Sequence, residues 1–168
     1  MFYRRNWIAV IAVILGLVMF IPVAQAQRQE IEARYCSVQV YNSLHYSPEV
    51  GITSYDQKGI WQSTHENKLL DNWTLQVVGV TKRMHGKMSW NGFSKEVAPD
   101  GEFIIWEFSG NSESGITTAK PIYGTGKWKD VKGERKSQAF TTAKPIAPIP
   151  NLTVATCTKA TGWIELPK

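Results

Sequence analysis

Residues able to hold a metal are few and scattered. The three histidines, His45, His65 and His85, have no partner at H-x-x-x-H spacing, and the two cysteines, Cys36 and Cys157, make no C-x-x-C pair. Those gaps exclude the common zinc arrangements, so neither a metal nor another cofactor is expected. A Gly-x-Ser-x-Gly nucleophile elbow is also absent, which removes the clearest serine-hydrolase signal. No window of helical length carries an apolar stripe of 3.6-residue period, which argues against helical layers and βαβ units. Charge of one sign is not concentrated either. The formal net charge is +5, with basic residues interspersed among acids, too mild and too dispersed to call for nucleic acid or an anionic membrane. The one long apolar run, residues 8–21, falls short of the roughly 20 residues that span a bilayer.

That run has a different meaning. Arg4 and Arg5 precede it, Pro22 ends it, and Ala24-Gln25-Ala26 supplies a small-x-small cleavage site, so residues 1–26 read as a cleaved signal peptide, with an uncleaved anchor as the alternative. Cleavage leaves one domain, residues 27–168, with 17 of the 19 basic residues against all 14 acids, a net charge of +3. The expected location is periplasmic or secreted, with no stable membrane insertion afterwards. In such a compartment Cys36 and Cys157, near the two ends of the mature chain, read as one disulfide. Closing so long a loop is worth about 4–5 kcal/mol in the chain-entropy model.

The rest reads as sheet. In CSVQV, Cys36, Val38 and Val40 alternate with Ser37 and Gln39, the period of a strand with one wet face. WTLQVVGV (73–80), GKMSWNGF (86–93), EFIIWEF (102–108), LTVATCT (152–158) and GWIEL (162–166) are further β-rich runs. EFIIWEF has apolar residues at both parities, which predicts burial on both faces. Pro99-Asp100-Gly101, Gly110-Asn111-Ser112 and Lys132-Gly133 punctuate the runs, a spacing that favours an antiparallel sandwich or barrel. Residues 43–68 are polar and turn-rich and read as a long connection or a lid. KPIAPIP (144–150) reads as an extended edge. TTAKPI, present at 117–122 and 141–146, suggests similar segments in adjacent hairpins.

GTGKWKDVKGE (124–134) is too poor in Ser/Thr after Gly126-Lys127 to be a phosphate loop. It reads as a hairpin of a coiled sheet, with Lys132-Gly133 as its turn. Residues 124–133 resemble the Gly-Gly-Thr-Gly-(Lys)-Phe-(Arg)-x-Ala-x-Gly signature of dirigent proteins and the related allene oxide cyclase barrels. Tyr123 stands in place of the first glycine and Trp128 in place of phenylalanine. The resemblance implies a secreted eight-stranded antiparallel barrel with an apolar interior, often a homo-oligomer (a trimer), that holds a bound intermediate or cyclises one. Gly59-x-Trp61 is a weaker pointer to a calycin barrel, in which it would mark the first strand.

The fold class expected is therefore all-β, a single antiparallel barrel of about eight strands after a cleaved signal peptide. Six tryptophans remain in the mature chain. Either they fill the core, each indole N–H tied to a partner, or some line a cavity for a flat ligand. Trp90, Trp106, Phe108 and Trp128 are the candidates for ligand binding, because they lie on the best-defined strands. Glu107, at the opposite parity from Trp106, is either an outward solvated acid or a buried acid or base. Three roles follow: a non-enzymatic barrel binding a small apolar or aromatic molecule, a cyclase or isomerase using the cavity, or a filled barrel serving as a structural subunit. Cavity volume separates the last from the others. Asn72-Trp73-Thr74 and Asn151-Leu152-Thr153 match the glycosylation acceptor pattern.

Overall fold

In a computed structural model describing residues 27–140 and 152–167 (side chains of 152–156 excepted), eight strands follow one another. They are β1 (Gln27–Ser47), β2 (Val50–Ser63), β3 (Thr74–Met84), β4 (Lys87–Val97), β5 (Phe103–Asn111), β6 (Thr117–Gly124), β7 (Lys132–Ala139) and β8 (Leu152–Leu166). Each pairs with the next, and β8 pairs with β1 to close the barrel; all pairings are antiparallel. Residues 1–26, KPIAPIP, the second TTAKPI copy and Asn151 lie outside the described residues. The first TTAKPI copy is β6.

Turn chemistry sets the mouth. His85 and Gly86, both at positive φ (50° and 78°), form the two-residue connection that matches the twist of β3 and β4. At the opposite rim, residues 64–73 and 125–131 fold inward as a plug. Leu69, Leu70, Trp73, Trp128 and Val131 are all buried there, and the rings of Trp73 and Trp128 meet edge to face at 5.0 Å. The seam where first and last strands meet is bonded covalently: Cys36 faces Cys157 in the β1–β8 ladder and the two form a disulfide.

Several sequence expectations change. Residues 43–63 lie in the β1–β2 hairpin and 64–68 begin the connection to β3, so most of the segment is strand and not a lid; every residue from Asn42 to Ser47 is exposed, whereas β2 buries Gly51, Gln57, Trp61 and Ser63. LTVATCT and GWIEL are one strand, because Thr158 to Thr161 continue the ladder with β1 and β7. The parity of CSVQV is inverted: Ser37 is buried, whereas Val38 and Val40 are 46% and 50% exposed. EFIIWEF buries Ile104, Trp106 and Phe108, while Phe103 and Ile105 stay half-exposed outside. Gly59-x-Trp61 lies on the second strand. In GTGKWKDVKGE, a 3-10 turn spans Gly126–Trp128, positive φ falls at Gly126 and Asp130, and Gly133 sits inside β7 opposite Ile164. The stretch is thus the plug plus the start of a strand. Gly124 is required there, since a Cβ would stand 2.0 Å from the Trp128 carbonyl oxygen.

Candidate functional site in the barrel lumen and mouth

The inner face of a strand is every second residue, and on β4 that face runs Trp90, Gly92, Ser94, Glu96. It carries Glu96, fully buried, to the middle of the barrel. Arg135 of β7 meets it bidentately: Nη1 donates to Oε2 and Nη2 to Oε1, each at 2.7 Å. Ser94 Oγ donates to Oε1 at 3.2 Å. The guanidinium lies between two indoles, 4.8 Å from the Trp61 ring and 4.5 Å from the Trp106 ring, which suits its weakly hydrated, planar charge. Above the pair, the Tyr35 ring meets Trp61 edge-on at 4.5 Å, its hydroxyl bonds to Thr158 and Gln57, and Gln57 Nε2 donates to Ser37 Oγ. Burial pushes the Tyr35 phenol above its ordinary pKa, and the same cause raises that of Tyr55. Both stay neutral at any physiological pH.

This cluster is a strut rather than an acid–base pair. Both Glu96 oxygens are held by the guanidinium. The cavity beside it, lined by Tyr35, Ser94, Glu96, Phe108, Arg135 and others, measures about 40 Å³, room for a few waters at roughly 10–15 Å³ each and not for an aromatic ring. The indole N–H groups of Trp61, Trp106 and Trp128 and the Arg135 Nε–H have no hydrogen-bond partner among the described residues, unlike the fully tied indoles of the core-filling expectation.

Toward the mouth the inner face changes character. Rings lie across glycines of neighbouring strands: Tyr55 over Gly79, Trp90 over Gly110, the Phe108 tip over Gly92 and His45 over Gly51. At Gly79 an added Cβ would stand 2.5 Å from Tyr55 Oη, and at Gly110 2.4 Å from Trp90 Nε1. Trp90 then donates to Thr117 Oγ1 at 2.8 Å. Tyr41, Tyr55 and Trp90 are half-buried, each keeping part of its ring open.

The four candidate residues are therefore spread along the barrel axis. Trp128 plugs the lower rim, Trp106 stacks on Arg135, Phe108 borders the small cavity and Trp90 stands at the mouth. Glu107 is exposed on the outer wall opposite Lys120. Sequence reasoning missed Glu96, Arg135, Tyr35 and Tyr55. A signal existed for Glu96, which shares the parity of Trp90 six residues earlier.

The chain is an eight-stranded meander closed by a first-to-last ladder, and its fold resembles that of dirigent proteins. Two solved structures of pterocarpan synthase dirigent proteins are similar to it. GePTS1 matches with a TM-score of 0.52 at 5% identity, over 88% of this chain and 95% of that one. PsPTS1 matches with a TM-score of 0.55 at 13% identity, over 86% of this chain and 99% of that one. No protein-family model matches the chain, and no curated protein is significantly similar to it in sequence. The likeness at these identities is one of fold.

Proposed function

We propose that the protein is a secreted or periplasmic, non-enzymatic barrel that holds a small aromatic or apolar molecule at its mouth. The observation that carries this is the set of half-open rings, Tyr41, Tyr55 and Trp90, on the inner face above a filled lower lumen. Flat rings with one free face suit a flat ligand. The signal-peptide reading of residues 1–26 and the disulfide support export. A filled-barrel structural subunit is the second reading, favoured by the 40 Å³ of internal space. A cyclase or isomerase has less support, since the buried carboxylate is fully engaged. Native mass spectrometry of the exported protein, purified without detergent or organic solvent, tests the proposal. A stoichiometric small molecule that is lost in Trp90→Ala supports it. An apo mass, with no binding of simple phenols or aromatic carboxylates at millimolar concentration, favours the structural subunit.

A further inference from the structure

The barrel wall sorts the charges of this chain. Alternate residues of a strand face the lumen or the solvent, and the ladder registers carry that parity from each strand to the next. All 14 acidic side chains belong to the described residues. Of those on strands, Glu30, Glu32, Asp56, Glu107, Glu134 and Glu165 have outward parity, and only Glu96 faces in. Two strand cations among the described residues share the inner face, Arg135 and Arg83. Arg135 is matched by Glu96. Arg83 has no acid on its own face to match it.

Arg83 follows Gly79 and Thr81 along the inner face of β3, opposite Gly51 of β2 and Met88 of β4. Thr81 is the ladder partner of Trp90. Arg83 is therefore a diagonal neighbour of that indole, roughly 7–8 Å along the sheet and within reach of a long side chain. Two acids stand on turns nearby, and each has another partner. Glu113 meets Lys87 at 2.7 Å. Glu49, which shares a surface hollow with Arg83, lies 3.7 Å from His85 Nδ1. Arg83 is exposed and makes no ion pair or hydrogen bond among the described residues.

We propose that Arg83 sets the class of the mouth ligand, an inference that rests on the ring-lined mouth described above: the ligand is an aromatic carboxylate, its ring on Trp90 and its negative charge on the guanidinium. A planar guanidinium meets a carboxylate with two parallel N–H donors, and the inner face holds no unmatched acid to repel the anion. A neutral ring keeps the contact with Trp90 and loses the charge-assisted bonds. A cationic ring meets a like charge, which discriminates against it. Lys82, the preceding residue, carries the same charge on the outer face and takes no part.

Benzoate and benzamide, alike in shape and different in charge, test this when titrated at neutral pH into the ¹⁵N-labelled exported protein with its disulfide intact. The Trp90 indole N–H signal is the reporter. In the wild type, benzoate binds about threefold to fivefold tighter than benzamide, the scale of an exposed ion pair, and the difference shrinks as salt is added. Arg83→Gln brings the two affinities together and leaves that of benzamide unchanged. Lys82→Gln, which removes one charge from the opposite face, keeps the preference. Both positions are exposed, so neither variant strains the fold. Equal affinities in the wild type, with Trp90 shifting for both probes, would overturn the proposal and leave the mouth reading in place. A preference that survives Arg83→Gln, or that falls equally in Lys82→Gln, would do the same. No shift of Trp90 with either probe would overturn both.

Discussion

The lower and upper halves of this barrel are built from the same strands but follow different rules. Below, Trp61, Trp106, Ile104 and Ile164 are sealed to 1% exposure or less around the Glu96 and Arg135 pair, and a tryptophan pair plugs the rim. Above, small inner residues at 79, 92 and 110 let rings lie across the wall, and the strands run on into solvent. The lower half supplies stability. The upper half spends little on packing and keeps its aromatic surface available, the usual division between scaffold and site.

The sharpest way to break the contrast is to strike the lower half. Glu96→Ala leaves a buried guanidinium uncompensated, and the expected loss is about 3–5 kcal/mol in urea unfolding; replacing both partners, as Glu96→Leu with Arg135→Met, recovers much of it. Removing the seam disulfide in a Cys36→Ala, Cys157→Ala variant costs about 2–5 kcal/mol by the same assay. Gly79→Ala acts on the upper half. Its Cβ displaces Tyr55, lowering stability by about 1–3 kcal/mol, and it weakens binding of a mouth ligand more than Ile122→Lys does, as titration calorimetry would read.

Tyr35 and Tyr55, both partly buried, add a pH signature. Their folded pKa values lie above the ordinary tyrosine value of 10.0, so the folded state keeps protons that the unfolded chain releases. Their contribution is complete below pH 10 and falls as pH rises above it. Urea midpoints measured from neutral to strongly alkaline pH should show that fall, reduced in Tyr35→Phe. Smallest of all is Leu44→Lys, within about 0.5 kcal/mol of wild type, because Leu44 is exposed.

The sequence was most legible where burial is one-sided and apolar. EFIIWEF and WTLQVVGV read as strands and form β5 and β3, with Trp106, Leu75 and Val77 buried, although EFIIWEF buries one face and not the two expected. The pairing of Cys36 with Cys157 followed from compartment and count. Legibility failed where the lumen is polar. On β1 the apolar Val38 and Val40 face out while Ser37 faces in, since the inner wall at that level hydrogen-bonds to Gln57; hydrophobicity then points the wrong way. Glu96 and Arg135, 39 residues apart, meet only after two further strands, β5 and β6, intervene, so neither looks buried alone. The plug at 125–131 was hidden because Trp128 alternates with lysines like a strand residue, while Gly126 and Asp130 supply positive φ.

The central claim is that a ligand meets the mouth and not the sealed lumen. The indole N–H signals of a ¹⁵N-labelled protein, titrated with simple phenols and aromatic carboxylates, test it most directly. The account predicts that Trp90 shifts while Trp61, Trp106 and Trp128 stay fixed. Saturable shifts at Trp106 or Trp128 with Trp90 unmoved would contradict it, placing the ligand inside a lumen that opens to receive it.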